Sequence, residues 1–356
     1  MKILVAGDWH SELHEQAVYN AFIELGHETL RFAWYEYFKP VGIFRKLTMP
    51  FFKAQNKYMF GPLVDRLNRE LVDLVAHEQP DLVFVYRGTH IYKETLQLIN
   101  KIAPRAVLAG YNNDDPFSPH YPKWKWRHFL AGVPEYDLVF AYRLHNIEEF
   151  KSAGAKKVKL LRSWFIPEWN KPINLTDLDR QRFGCDVAFI GHYENDGRLE
   201  YCESLLIANI NLKIHGPYKG FKQQGWYGHI SENSLIMRQT PLTWLGGEDY
   251  VKAICAAKIG LCFLSKLNRD TYTRRCFEIP ACGTALFAEY SEDLSSIYRE
   301  GHDVEYFRSQ GELIEKVKYY LSNPEKLNEL TLNGQRRVHQ DGHDVVSRMR
   351  EMIGQI

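Results

Sequence analysis

The chain has 356 residues, 45% of them apolar and 25% charged, a composition ordinary for a soluble globular protein and a length that favours two cores over one. A formal net charge of +1 gives no global electrostatic case for nucleic acid, and no apolar run approaches the roughly 20 residues that a membrane span needs. The 6 cysteines fall in the second half without CxxC pairs or His partners at ligand spacing, so they read as reduced thiols of a cytoplasmic protein.

Taken in chain order, KILVAG reads as a short buried strand, and the chain turns polar too soon after it for a signal peptide. DWHSELHEQ then leads into a helix in which Val18, Phe22 and Leu25 keep helical spacing until Gly26 stops it. Strands are predicted in HETLRFA, DLVFVYR (81–87), AVLAGY, YDLVFAY (136–142) and KVKLLRS, with helices near 63–78, 91–102 and 145–153. Strands apolar throughout and separated by amphipathic helices predict a parallel sheet covered on both faces.

A polar linker is predicted over 165–184, and the same grammar then restarts. DVAFIG, LKIHG, KIGLCFL and TALFAE read as strands; RLEYCESLLIA, EDYVKAICAA and ELIEKVKYYLSNPE read as helices. In the last of these Leu313, Val317, Tyr320 and Leu321 share a face, and Asn323-Pro324 ends it. The expected fold class is α/β, with two doubly wound, Rossmann-like domains over 1–170 and 171–340 facing across a cleft. A closing helix within 341–356 is expected to pack back on the first domain. Ligands of open α/β sheets bind outside the carboxyl ends of the strands, which makes the loops after strands the candidates for chemistry.

In the second half, Gly191 permits close backbone approach to a ligand, and the helix starting near Asp196, Gly197 and Arg198 favours a phosphate at its N-terminus. A plain capped turn is the alternative. His215-Gly216 forms a second close-approach turn, and the loop 217–234 is either a clasp for a base or sugar or simple surface. The stretch TYTRRCFEIPACGTALFAE (271–289) opens with charges although the rest reads as buried. Pro280 is tolerated in a first helical turn or at a kink, which predicts that Glu278 lies near a helix N-terminus. There its carboxylate can accept two hydroxyls of a vicinal diol such as ribose, while Arg275, with Arg274 beside it, suits a phosphate. Asp270 adds a carboxylate eight positions before Glu278. The bland alternative is that Glu278 caps the helix and Arg275 lies along the surface.

In the first half, Asp8-Trp9-His10, RGTH (87–90) and NNDDPF follow predicted strands. Asp115 and His10 are the candidates for a general base that takes the proton from an acceptor hydroxyl. Asp115 before Pro116 is equally a turn signal, and Asp8 and His10 equally a helix cap. Residues 32–60 are rich in aromatic and basic side chains, as is the shorter HYPKWKWRHF (120–129). Such a stretch is a membrane-surface segment, an acceptor loop or a packed insertion. Asp177-Leu178-Asp179 resembles a metal-binding DxD but falls in the linker, so no metal site is expected.

YVKAICAAKIGLCF followed by TRRCFEIPACGTALF resembles the C-terminal region of GT-B glycosyltransferases, in particular the CgeB-like (spore-maturation-protein) group. GELIEKVKYYLSNPEKLNELTLNGQRRV is similar to the closing segment of that group, and PDLVFVYRGTHI and NNDDP are similar to its N-terminal half. The resemblance implies a nucleotide-sugar site in which Glu278 holds the ribose. Asp270 stands where related retaining enzymes carry a glutamate, a shorter side chain than the pattern has. The whole reading is a metal-independent glycosyltransferase without a cofactor, in which Gly191, Arg198, His215, Gly216, Asp270, Arg274, Arg275 and Glu278 face the nucleotide-sugar donor. The acceptor is a hydroxyl of a polysaccharide, lipid-linked or protein molecule, with no nucleic-acid partner, at the cytoplasmic face of a membrane if 32–60 touches it. The rivals are a nucleotide-sugar epimerase of the same architecture and a non-catalytic nucleotide- or sugar-binding coat protein.

Overall fold

A computed structural model of the chain describes residues 1–217, 225–226, 228–231 and 234–356, and divides into two compact units. The first is Met1–Ser163 with Val345–Ile356; the second is Trp164–Asp344. Of the loop 217–234, expected as a clasp or simple surface, residues 218–224, 227, 232 and 233 lie outside the described residues.

The first unit is built on strands β1 (Lys2–Gly7), β2 (Glu28–Ala33), β3 (Leu82–Tyr86), β4 (Val107–Asn112), β5 (Leu138–Ala141) and β6 (Val158–Leu160). Their order is β2-β1-β3-β4-β5-β6, with parallel pairing throughout. The strand cores of β3 and β5 are wholly buried, as their unbroken apolar runs require of strands covered on both faces. Crossovers run through α1 (Ala17–Glu24), α2 (Arg45–Tyr58), α3 (Pro62–Glu78), α4 (Lys93–Ile102), α5 (Arg127–Gly132) and α6 (Asn146–Ser152). Leu67, Leu71 and Val75 of α3 and Leu96 and Ile99 of α4 meet Leu4, Val83, Val85 and Leu108 of the sheet in one core. Strand order reverses between β1 and β3, so their carboxyl ends flank the crevice where such sheets take ligands.

The second unit carries β7 (Cys185–Ile190), β8 (Leu212–His215), β9 (Ala257–Cys262), β10 (Ala285–Glu289) and β11 (Glu305–Phe307) in the order β11-β10-β9-β7-β8, again parallel. Here the order reverses between β7 and β9. The helices are α7 (Asp177–Phe183), α8 (Arg198–Ile207), α9 (Leu235–Gln239), α10 (Glu248–Ala256), α11 (Arg275–Ala281), α12 (Glu292–Ser295), α13 (Gln310–Ser322) and α14 (Pro324–Gln340). Val187, Phe189, Ile214, Ile259, Leu261 and Phe287 of the sheet pack with Leu205, Leu313 and Val317 of the helices. The final helix, α15 (Val345–Ile353), belongs to the first unit and packs on α1.

Two local readings change. Pro280 sits in the last turn of α11, not the first, because the helix begins at Arg275. A proline there leaves the carbonyl of Cys276 without its helical donor, and the Tyr298 hydroxyl supplies one at 3.1 Å. Asp177-Leu178-Asp179 is the first turn of α7. Thr176 and Asp179 form a reciprocal capping box there, and Asp179 also meets Lys252 at 3.3 Å.

Candidate active site

In the second unit the loops after β7 and β9 are tied to each other. Ser265 donates to Glu194 Oε2 at 2.9 Å, and Glu194 Oε1 lies 2.9 Å from His192 Nε2. Burial pushes the Glu194 carboxyl up, but His192, Arg198 and Ser265 outweigh it and leave its pKa below the ordinary value. Arg198 is buried within this loop. Its Nε donates to Asp196 Oδ1 at 2.8 Å, Nη2 pairs with Oδ2, and Nη1 donates to the His192 carbonyl at 2.8 Å. The Arg198 guanidinium, expected to face the donor, is engaged in shaping the turn, with Gly197 at φ 94 as its left-handed pivot.

The glycines after β7 and β8 approach one another. Gly191 N donates to the His215 carbonyl at 2.8 Å, and the Gly191 carbonyl accepts from Trp226 Nε1 at 3.1 Å. A Cβ on Gly216 would fall 2.1 Å from that carbonyl, so the close approach at Gly216 is backbone against backbone. His215 beside it is buried, 3.4 Å from Thr243 Oγ1 through Nδ1, and its Nε2 has no partner among the described residues. Burial, helped by Lys213 and Arg182, lowers its pKa to about 4, so the ring is neutral.

Helix α11 places the charges of the 271–289 stretch. Glu278 is 3% exposed and its Oε2 accepts from the Tyr250 hydroxyl of α10 at 2.7 Å. No other hydrogen bond reaches this carboxylate among the described residues, which leaves Oε1 as an unengaged acceptor. Arg275, at the first position of the helix, has a buried Nε without a partner and forms no ion pair with a carboxylate among the described residues. Arg275 and Tyr250 line one small cavity with Ile190, Gly260 and Ile279, beneath the β7–β9 switch. Arg274, before the helix, accepts Phe277 N and Glu278 N on its carbonyl, and its guanidinium lies 6.0 Å from the Trp164 ring. Asp270 is half-buried in the loop after β9, with its N–H on the Ser265 carbonyl at 2.8 Å. Glu278, Arg275 and Asp270 therefore share one loop and helix start. Tyr250, which orients the carboxylate, carried no signal in the sequence.

In the first unit the end of β1 carries an aspartate–histidine pair. His10 Nδ1 lies 2.8 Å from Asp8 Oδ2, and Trp9 between them has φ 61. Asp8 raises the His10 pKa above its ordinary value by accepting from Nδ1. Burial pushes Asp8 up, but His10 outweighs it, with a net lowering. Beneath them Glu15 accepts from Asp8 N at 3.0 Å, and burial raises its pKa. His10 is the exposed member, its ring nearly half accessible.

The end of β4 is different. Asp115 is 0% exposed. Its Oδ1 accepts from Phe117 N and Asn146 Nδ2, each at 3.0 Å, and Oδ2 lies 3.4 Å from His145 Nε2. This is the turn that an aspartate before proline favours, locked by the start of α6. Asp114 pairs with Arg87, which holds φ 67 at the end of β3. Among the described residues, Asp115, His145 and Glu149 also form the one group with ligand atoms within 4.8 Å of one another. Asn146 Nδ2 donates to both carboxylates, at 3.0 and 2.8 Å, so an amide N–H already fills the position between them.

Over the whole chain the fold is that of GT-B glycosyltransferases. The structure of Anabaena Alr3699/HepE in complex with UDP-glucose superposes with a TM-score of 0.65 at 15% identity, covering 100% of each chain. Sucrose-phosphate synthase from Thermosynechococcus elongatus gives 0.66 at 12% identity over 99% of this chain and 98% of that one. The trehalose 6-phosphate synthase of Burkholderia multivorans gives 0.63 at 10% identity, over 99% and 97%. Residues 198–354 match a family model described as glycosyl transferase-like. No curated protein matches the sequence.

Proposed function

We propose that the protein is a glycosyltransferase that moves a sugar from a nucleoside-diphosphate donor, of the UDP type, to a hydroxyl of a polysaccharide, lipid-linked or protein acceptor. One observation carries it: Glu278 Oε1, without a hydrogen-bond partner among the described residues, and Arg275, with its Nε unpartnered and no carboxylate paired to it there, stand one turn apart on α11 at the switch point of the second unit. That pairing suits a ribose hydroxyl and a phosphate. The glycosyl transferase-like match over 198–354 and the UDP-glucose complex of the structural relative HepE support the same reading.

In the reaction, the acceptor hydroxyl attacks the anomeric carbon and the bond from that carbon to the donor phosphate breaks. The hydroxyl proton passes to His10 Nε2, which Asp8 orients through Nδ1. Arg275 stabilises the charge that grows on the departing diphosphate without a metal ion. Asp115, fully buried and held from three sides, positions the loop instead of accepting the proton. The resemblance of 250–263, 273–287 and 311–338 supports membership in the CgeB-like group, and six cysteines without paired spacing support a cytoplasmic setting.

The deciding experiment follows donor consumption with and without acceptors. Release of UDP that requires an acceptor supports transfer. Conversion of donor without acceptor marks an epimerase, and tight UDP binding without turnover marks a binding protein.

A further inference from the structure

Helix α2 and the turn before it expose large apolar side chains that the core does not use. Ile43 is 91% exposed, Val41 88% and Leu47 78%, with Phe44, Phe51 and Phe60 also exposed. Gln55 alone is buried in the helix, and its Oε1 accepts from Leu63 N at 2.8 Å, which seats α2 against the start of α3. The far end is held by the second aromatic-basic segment. Arg127 donates to the carbonyls of Tyr58 and Met59, His128 Nε2 lies 2.9 Å from the Met59 carbonyl, and the Trp124 ring lies 5.7 Å from that of Tyr58. The two stretches that stand 60 residues apart in sequence thus form one surface.

The charges carried by these two stretches themselves have one sign. Lys39, Arg45, Lys46, Lys53 and Lys57 fall between Glu36 and Asp65 with no acidic residue among them, and Lys123, Lys125 and Arg127 fall in a second acid-free run between Asp115 and Glu135. Contiguous apolar side chains this exposed mark an interaction site. We infer that α2, residues 41–44 and Trp124 form a face that lies on an anionic phospholipid surface, apolar side chains among the acyl chains and cations at the headgroups. At 14 residues the helix is too short to cross a bilayer and suits an orientation in its plane. A second copy is disfavoured by charge: a two-fold contact through this face sets its cations against themselves. The inference is independent of the transferase reading.

The test is co-sedimentation of the full chain with vesicles of phosphatidylcholine alone and of phosphatidylcholine with phosphatidylglycerol. The anionic vesicles should bind at least about tenfold more tightly, since each basic residue near such a surface adds roughly fivefold. Salt at about 0.5 M should remove most of that gain. Ile43→Ser with Leu47→Ser should lower binding to anionic vesicles about tenfold. Lys46→Glu with Lys53→Glu should do the same, as a second pair that leaves the apolar side chains intact. Binding that is absent, indifferent to headgroup charge or unchanged in both pairs overturns the inference. So does a concentration-dependent dimer in sedimentation velocity that disappears with Ile43→Ser and Leu47→Ser, which assigns the face to a second copy.

Discussion

Tyr250 and Glu278 lie 28 residues apart in sequence, and the phenol of one donates to the carboxylate of the other at 2.7 Å. Burial, with Glu278 beside it, pushes the Tyr250 hydroxyl well above its ordinary pKa, so it keeps its proton and fixes Oε2. That leaves Oε1 for a ligand. Glu278→Ala should weaken UDP binding by about 1–3 kcal/mol, the scale of lost hydrogen bonds to a charged group. Tyr250→Phe should act on thermal stability more than on affinity. Calorimetry that finds UDP affinity unchanged in Glu278→Ala would remove the ribose role.

Arg275 separates diphosphate recognition from base recognition. Arg275→Lys keeps the charge and loses the planar fork, so affinity for UDP should fall roughly tenfold while affinity for uridine stays level. Arg275→Ala should fall further. A constant UDP-to-uridine ratio across the three proteins would place the phosphates elsewhere.

Gly216 makes a stability prediction that needs no ligand. Its Cβ would stand 2.1 Å from the Gly191 carbonyl and 2.8 Å from Trp226 Nε1, and neither neighbour is a flexible side-chain end. Gly216→Ala should cost about 1–3 kcal/mol or more in denaturant unfolding. A melting curve superposable on the parent's would show that the two turns are not packed this tightly.

The strands were legible because those covered on both faces must be apolar throughout, as LVFVY of β3 and LVFA of β5 are. Strand β11 was not: Glu305–Phe307 is three residues long, opens on a glutamate and runs straight into Arg308, whereas the equally short β6 lies in the longer run KVKLL. Glu278 and Arg275 were legible as charges in an apolar stretch. Their surroundings were not: Tyr250 looks like any helical tyrosine until the fold sets it on Glu278. The surroundings of Asp115 were hidden for the same reason. Its partners His145 and Asn146 follow about thirty residues later, and only tertiary structure turns that carboxylate inward. Arg198 was expected to face the donor; its pairing with Asp196, two residues away, depends on the turn at Gly197 that only the structure displays.

Metal independence is directly checkable. Arg275 places positive charge at the start of α11, and Asp177 and Asp179 belong to the capped first turn of α7. Turnover should persist in EDTA at the rate seen with added Mg²⁺. Loss on chelation that Mg²⁺ or Mn²⁺ restores would contradict this and direct attention to Asp115, His145 and Glu149.

The choice of base rests on exposure. His10 offers an accessible ring with Asp8 on Nδ1 at 2.8 Å, whereas Asp115 is sealed beneath Asn146 and the turn at Phe117. His10→Ala should lower kcat about 10²–10⁴-fold with donor affinity nearly constant, since a base acts only in the transition state. Asp115→Asn replaces a carboxylate that accepts two N–H donors, and its main effect should be a loss of stability of about 1–3 kcal/mol. The pH profile gives the sign. A base must be neutral, and Asp8 raises the His10 pKa above 6.5, so kcat should climb as pH rises through that raised value. Asp8→Asn removes the negative charge beside Nδ1 and should move the inflection to lower pH while lowering the plateau. The ion pair itself stabilises the fold most below the unfolded His pKa, and that contribution is lost as pH rises through the folded one. The rate and the pair's stabilisation should therefore run in opposite directions across the same titration. If Asp115→Asn collapses kcat in a folded protein and His10→Ala does not, the roles are reversed; if neither does, the sugar is transferred with retention and no protein base is required.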